Sequence, residues 1–494
     1  MRLSDLLHDA GLPALPGTDP EINDIVSDSR RAGPGTLFVA MRGTRCDGHA
    51  YLGEAAAAGA AAAVIAADWV GEVPLPAIRT PDPRAALACL WDAYYQHPAA
   101  KMRLIAVTGT NGKTSVSTML EAIFRAALCR TGLIGTLGCR SSGRVIAAEN
   151  DDPLANMTTP DPAALYRVLA QMRDDGADTV IMEASSHALA LGKLAPLHFA
   201  AGVFTNLTPE HLDFHGSMED YLAAKQRLFS TCETAILNRD DPHWAAMASA
   251  CTGRVLTCAQ RTAADFTACE IADRGTQGIE YLLKAEQVRF RVHAPIPGRF
   301  TVENTLLAAA CASALGISPL AIQDALAGLA GVEGRLERVP LPGMPFSVFI
   351  DYAHTPDALQ NLLHTARSFR TDGERIVLLF GCGGDRDPTK RKPMGRIASE
   401  LADFVIVTSD NARSEVPARI IADILRGIDR EKPYAVIESR AEAIAYAIRQ
   451  AREGDIILLA GKGHERYEID ANGRRPFDER IRVRQAAEAY RKSK

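Results

Sequence analysis

The sequence has no basic excess: Lys plus Arg total 55 against 60 Asp plus Glu, for a net charge of −5 over 494 residues. Binders of nucleic acid or of an anionic membrane surface draw their affinity from such an excess, so neither partner is expected. A local basic site for a small anionic substrate stays open. None of the ten cysteines forms a Cys-x-x-Cys pair, so no zinc or thioredoxin-like site is signalled. Their scatter suits reduced core thiols of a cytosolic protein better than a disulfide framework. The opening MRLSDLLHDAGL lacks the basic and long apolar segments of a secretory signal. Nothing approaches the ~20 apolar residues needed to cross a bilayer. The most apolar run, Ala55–Ala67, contains Gly59 and predicts a helix end, a glycine cap and a buried strand over Ala62–Ala66. Aromatic content of 6%, with 38 Gly and 27 Pro, excludes collagen-like and disordered classes.

A length of 494 residues, at ~100–200 per domain, predicts three domains with cores of their own. Short apolar runs recur at Thr36–Ala40, Ala62–Ala66, Arg103–Val107, Thr179–Met182, Ala200–Phe204, Ser347–Ile350, Ile376–Phe380, Phe404–Thr408, Ala435–Ile437 and Ile456–Ala460. Most precede a helical pattern, which predicts an α/β protein with parallel sheets covered on both faces. A helix opens at Thr80-Pro81-Asp82-Pro83 and stops at His97-Pro98, and a Pro/Gly-rich link spans Arg335–Pro345. The expected domains are 1–98, 99–336 and 337–494.

The sharpest local signal is Gly109-Thr110-Asn111-Gly112-Lys113-Thr114-Ser115, directly after the strand Leu104–Val107 and opening a helix expected over Ser115–Ala127. Glycines let backbone N–H groups curl around phosphate oxygens, and the helix N-terminus adds a favourable dipole. Lys113 can reach the terminal phosphates of ATP and Thr114 can hold Mg²⁺. The common spacing Gly-x-x-x-x-Gly-Lys-Ser/Thr is not met, because position 107 is Val. A plain glycine turn with a solvated lysine is the bland alternative; the strand–loop–helix setting favours ATP.

The string Thr108–Ser115 resembles that of the Mur ligases, ATP-dependent amide-forming enzymes of bacterial cell-wall synthesis. The resemblance extends over nearly the whole chain. Asp28-Ser29-Arg30 and Leu37-Phe38-Val39-Ala40 look like the N-terminal domain that holds the UDP end of the substrate. Thr158-Thr159-Pro160, Met182 to His187, Thr205 to Asp213, Tyr221 to Lys225, Gly298 to Asn304 and Gly334-Arg335 look like the central ATPase domain. Asp351 to Asp357, Gly381 to Asp387 and Gly461-Lys462-Gly463-His464-Glu465 look like the Rossmann-like C-terminal domain.

The resemblance implies an acyl phosphate formed from ATP on a D-glutamate carboxylate, from which the amine of an incoming amino acid displaces phosphate. It implies two Mg²⁺ ions, with Thr114 and Glu183 on one and His211 on the other. Lys225, on a helix expected over Met218–Phe229, would carry a carbamate that turns a cation into a metal-bridging anion. Carbamylation needs the free amine, and a desolvated or cation-flanked lysine has a lowered pKa. Lys113, Glu183, His211 and Lys225 are thus the expected catalytic set. Asn304, Arg335, Asp351 and His354 match nucleotide contacts.

For UDP-N-acetylmuramoyl-L-alanyl-D-glutamate the resemblance implies Ser27 and Ser29 near uridine, with Thr44, Arg45 and Cys46 in the following loop. Thr158, Thr159 and Ser185 would lie near the sugar and peptide. Many relatives carry Gln-x-Arg where this chain has Leu191-Gly192-Lys193. Lys193 can still pair with a substrate carboxylate, without the bidentate fork of arginine. For the amino acid, diaminopimelate-adding relatives show Asp-Asn-Pro-Arg; here stands Asp410-Asn411-Ala412-Arg413. meso-Diaminopimelate has a distal carboxylate that L-lysine lacks, and Arg413 supplies the planar cation to read it. Arg386, Gly461 and Glu465 match further contacts, Glu465 suiting the distal ammonium. The competing expectations are a lysine-adding ligase, against which Arg413 argues, folylpolyglutamate synthase, against which the N-terminal segment argues, and a regulatory P-loop ATPase. A cytoplasmic monomer is expected.

Overall fold

A computed structural model describes residues 1–43, 46–146, 157–329, 331–371 and 373–493. The chain divides into two compact units, Met1–Thr267 with Leu306–Ile322, and Ala268–Thr305 with Gln323–Lys494.

The first unit contains a four-stranded parallel sheet in the order Asp24–Val26, Thr36–Val39, Ala62–Ala66, Ala77–Thr80. The run Ala55–Ala67 forms the end of helix Leu52–Ala57, a turn through Gly59 at φ +92°, and a wholly buried strand. That positive φ is one that glycine adopts without penalty. Helix Pro83–Tyr94 begins where the Asp82 carboxylate accepts hydrogen bonds from the backbone N–H groups of Arg84 and Ala85.

The larger sheet of this unit runs Arg254–Ala259, Thr234–Asn238, Ala201–Phe204, Arg103–Thr108, Thr179–Glu183, Thr131–Gly135, all parallel. Gly138–Ser141 and Arg144–Val145 extend it antiparallel. Val107 lies in register with Glu183, and Thr108 with Phe204. Three loops therefore leave one sheet edge side by side, at the C-terminal ends of parallel strands, where α/β sheets form their ligand crevices. Ile105, Val107, Ile181 and Val203 are fully buried beneath them, each contributing about 1.5–3 kcal/mol by leaving water.

The second unit carries a sheet in the order Glu337–Arg338, Ser347–Asp351, Ile456–Ala460, Ile376–Phe380, Phe404–Val407, Tyr434–Val436. All its pairings are parallel except the first. The loops after Asp351, Phe380, Val407 and Ala460 leave its C-terminal edge together. Apolar runs do not mark the antiparallel strands. In Arg289–Ala294, exposed Arg289, Arg291 and His293 alternate with buried Phe290, Val292 and Ala294, so no continuous run forms. The link after Arg335 likewise carries the two-residue strand Glu337–Arg338, paired with Phe349 and Ile350. Among the described residues no helix is long and apolar enough to cross a membrane.

Candidate active site

The glycine-rich loop lies on the larger sheet of the first unit. Gly109 has φ +149°, and a Cβ there would fall 1.9 Å from Thr205 Oγ1. The loop is clasped from the neighbouring strand end: the Thr110 N–H donates to the Asn206 carbonyl (2.8 Å), the Asn111 N–H to Asn206 Oδ1 (2.9 Å), and Thr205 Oγ1 to the Asn111 carbonyl (2.6 Å). Gly112, at φ +86°, caps helix Lys113–Ala126. That helix therefore starts two residues before Ser115. Lys113 Nζ donates to the Gly109 and Thr110 carbonyls, 2.9 Å each. The helix N-terminus and these amides make a cradle for anionic oxygen.

Glu183 ends its strand directly beside the loop and is buried. Its Oε2 accepts from Thr114 Oγ1 (3.1 Å) and from Thr136 Oγ1 (3.0 Å), and its Oε1 from the Thr136 N–H (2.9 Å). Thr136 Oγ1 lies 3.1 Å from Thr158 Oγ1. Thr159 Oγ1 donates to the Glu183 carbonyl (2.7 Å) and contacts Ser185 Oγ (3.1 Å). Thr114, Glu183, Thr158, Thr159 and Ser185 thus form one hydroxyl-lined patch. Thr136 belongs to it although no motif points to Thr136; its signal is the adjacent strand end.

Lys225 is 1% exposed on helix Met218–Phe229, with Nζ 4.5 Å from the centre of the Tyr221 ring. Burial, reinforced by the nearby Lys113 charge, pushes its pKa well below the ordinary lysine value, against the opposing pull of Glu210. Tyr221 places its hydroxyl 3.1 Å from Thr110 Oγ1, and burial raises that phenol to about 12. His211 sits at φ +56°, 3.7 Å from the Glu210 carboxylate, its ring 4.8 Å from that of His187. Burial and the neighbouring His211 and His215 lower His187 to about 4, which keeps it neutral.

Among the described residues no three His, Cys, Asp or Glu side chains form a ready cage. Mg²⁺ uses one or two carboxylates plus substrate phosphates rather than such a cage. The hard oxygens of Thr114 and Glu183 fit one ion, and the buried Lys225 amine fits carbamylation.

Lys193 pairs with Asp161 at 2.7 Å and is 11% exposed. In loops next to strands of the N-terminal sheet, Ser27 and Cys46 are exposed, and Ser29 Oγ donates to Glu54 (3.0 Å). Thr44 and Arg45 lie outside the described residues.

In the second unit Asn304 is buried on helix Phe300–Ala314. The Arg335 guanidinium lies 4.9 Å from the Tyr352 ring centre, and Tyr352 contacts His354 at 4.6 Å. The Asp351 carboxylate accepts from the Leu336 (2.7 Å) and Ala353 (2.8 Å) N–H groups, yet burial raises its pKa. Arg386 is exposed. Gly461 has φ +118°, and a Cβ there would meet Asp410 Oδ2 at 2.6 Å. Asn411 Nδ2 donates to Glu465 Oε2 (2.7 Å). Ala412 is buried, and its carbonyl lies 2.0 Å from where a Gly384 Cβ would stand. Arg413 is held at φ +53° and donates from Nη1 to the Gly384 carbonyl (2.8 Å). Asp410 to Arg413, Gly461 and Glu465 therefore share one edge.

A phosphate cradle on a parallel sheet, with a carboxylate and a buried lysine beside it, defines a nucleotide-using α/β enzyme. The comparisons sharpen this. The Mur ligase family catalytic domain matches residues 21–95, the Mur ligase middle domain 107–312, and the Mur ligase glutamate ligase domain 334–463. The UDP-N-acetylmuramoyl-L-alanyl-D-glutamate–2,6-diaminopimelate ligase of Gloeobacter violaceus is 42% identical over 98% of both chains. That of Caldanaerobacter subterraneus is 41% identical, again over 98% of both. A solved structure of a ligase with the same name superposes with a TM-score of 0.71 at 31% identity, covering 99% of this chain and 100% of the other. The chain belongs to the Mur ligase family.

Proposed function

We propose that this protein joins meso-diaminopimelate to the D-glutamate carboxylate of UDP-N-acetylmuramoyl-L-alanyl-D-glutamate, converting ATP to ADP and phosphate in cytoplasmic peptidoglycan precursor synthesis. The observation that carries this is the Asp410–Arg413 loop, tied to Glu465 through Asn411, in a chain 42% identical to a diaminopimelate ligase. Residues 1–98 hold the UDP end, 99–336 the ATP, and 337–494 the amino acid.

A D-glutamate carboxylate oxygen attacks the terminal phosphorus of ATP and ADP leaves. The amine nitrogen of the amino acid then attacks the acyl carbon, inorganic phosphate leaves, and the amine gives up a proton. Backbone N–H groups of the Gly109–Gly112 loop orient the phosphates, and Lys113 stabilises charge on the transferring group. Thr114 and Glu183, and His211 with a carbamylated Lys225, would hold Mg²⁺, which would supply further neutralisation of that charge. Ser27, Ser29 and Cys46 bind the uridine end. Thr158, Thr159, Ser185 and Lys193 bind the sugar and peptide. Asn304, Arg335, Asp351 and His354 bind the nucleotide.

The test is product mass after incubation with ATP, Mg²⁺, the UDP-dipeptide and either meso-diaminopimelate or L-lysine. The mass of the diaminopimelate adduct alone is expected; a lysine adduct alone refutes the assignment. Lys225→Ala is expected to lose at least about 10²-fold in turnover, the scale on which one preorganised charge acts. With isotope-labelled bicarbonate, NMR is expected to show a carbamate carbon in the unmodified enzyme and none in Lys225→Ala. Its absence from active enzyme sinks the carbamate.

A further inference from the structure

Lys462 follows the strand Ile456–Ala460 by two residues and is 0% exposed. Its ammonium donates to Asn411 Oδ1 (2.9 Å) and to the Tyr467 carbonyl (2.7 Å). It lies 3.8 Å from Asp410 Oδ1 and 3.7 Å from Glu465 Oε2. The rings of Tyr467 and Phe477 stand 6.0 and 5.9 Å away. Asn411 is 3% exposed and fully engaged: its Oδ1 also accepts from the Ile469 N–H (3.0 Å), and its Nδ2 holds Glu465. One amide thus links the buried ammonium to the carboxylate expected to meet the substrate.

We infer that Lys462 is a positioning residue for the amino-acid substrate: its buried ammonium, acting through Asn411, keeps Asp410 and Glu465 together as a paired carboxylate receptor for an ammonium group. This rests on the function proposed above. Two carboxylates in one pocket repel, and the repulsion grows as water is excluded. Burial and then Asp410 raise Glu465, while Lys462, Asn411 and Tyr467 pull it down. Burial works to raise Asp410 as well, but Lys462, Arg440, the Asn411 N–H and His354 together outweigh it and hold Asp410 below its usual value. Tyr352, His354, Lys390 and Cys382 also face the pair. Methionine, unbranched like lysine and adaptable in shape, removes the charge with little change of packing volume.

The experiment uses the full chain and compares Lys462→Met with Lys462→Gln, which keeps a donor without the charge. KM is measured separately for meso-diaminopimelate, ATP and the UDP-dipeptide, with kcat/KM for the amino acid followed against pH. Both variants are expected to raise KM for diaminopimelate about tenfold or more, leaving the other two KM values within about twofold. The acidic limb of the profile is expected to move to higher pH: without Lys462, Glu465 takes up its proton more readily and stops binding an ammonium. In a Glu465→Gln background that shift is expected to shrink to the part carried by Asp410, which Lys462 also lowers. An unchanged diaminopimelate KM, or an equal rise in all three KM values, overturns the inference. So does loss of the folded state in both variants. If the unmodified enzyme uses lysine instead, the function proposed above fails, and the same variants read against lysine still decide the role of Lys462.

Discussion

Replacing Lys113 by alanine is expected to cut turnover about 10³-fold or more while the protein stays folded, because a positioned cation acts mainly on charge that develops during phosphoryl transfer. The loop has ties other than this side chain. Asn206 and Thr205 clasp it through the Thr110 N–H and the Asn111 N–H and carbonyl, and Gly109 has room for no side chain against Thr205. Lys113 Nζ rests on the Gly109 and Thr110 carbonyls, within the cradle in which the terminal phosphates are proposed to lie. Loss is therefore expected in kcat more than in KM for ATP. Rapid-quench measurement of ADP formed in a single turnover, beside a thermal melt, checks this. Near-normal phosphoryl transfer in the variant ends the assignment. A second consequence follows at Lys225, whose lowered pKa owes part of its depression to the Lys113 charge. Lys113→Ala is expected to make that amine more basic and so to demand a higher pH or more bicarbonate for carbamylation.

Fully buried parallel strands were the most legible elements in the sequence. Ala62–Ala66, Ile376–Phe380 and Ile456–Ala460 are strands with the anticipated bounds, because strands buried on both faces are written as continuous apolar runs. Helix Met218–Phe229 likewise keeps the anticipated bounds; Ser217 accepts from the Asp220 N–H at its start. What escaped was half-polar or long-range. In the hairpin Tyr467–Asp470 with Gly473–Pro476 the second strand is exposed and the first mostly half-buried, so no apolar run marks it. Thr136 joins Glu183 across 47 residues of sequence, and Lys462 reaches Asn411 across 51. Contacts of that separation are made by strand order, which no local pattern encodes. The clasp of Asn206 on the glycine loop has the same origin: Ala201–Phe204 pairs beside Arg103–Thr108, and the two loops meet only because the strands do.

The unmodified enzyme is expected to prefer meso-diaminopimelate to L-lysine by about 10⁴-fold in kcat/KM, the scale on which a site built around a substrate group rejects the analogue lacking it. The two amino acids differ by the distal carboxylate. Arg413 is half-buried, and its backbone is held in the left-handed region by the hydrogen bond from its N–H to the Ile469 carbonyl (3.0 Å). A non-glycine residue in that conformation carries strain of about 1–3 kcal/mol, tolerated where the surroundings fix it, as at ligand clamps. Gly384 and Asn411 carbonyls take up Nη1 at 2.8 and 3.3 Å, which orients the plane of the guanidinium and its remaining N–H groups. Lysine bound there leaves that cation desolvated with no carboxylate to meet it. Arg413→Ala is expected to lose about 10²–10³-fold in kcat/KM for diaminopimelate, the cost of truncating one partner of a buried charge pair. ATP binding is expected to persist, and lysine activity is not expected to rise, since no new pocket is made. Arg413→Gly relieves the backbone strain yet removes the same cation, so equal losses in the two variants assign the effect to the guanidinium. A glycine variant that retains diaminopimelate activity, or an unmodified enzyme equally efficient with lysine, overturns the assignment of Arg413 as the residue that reads the distal carboxylate.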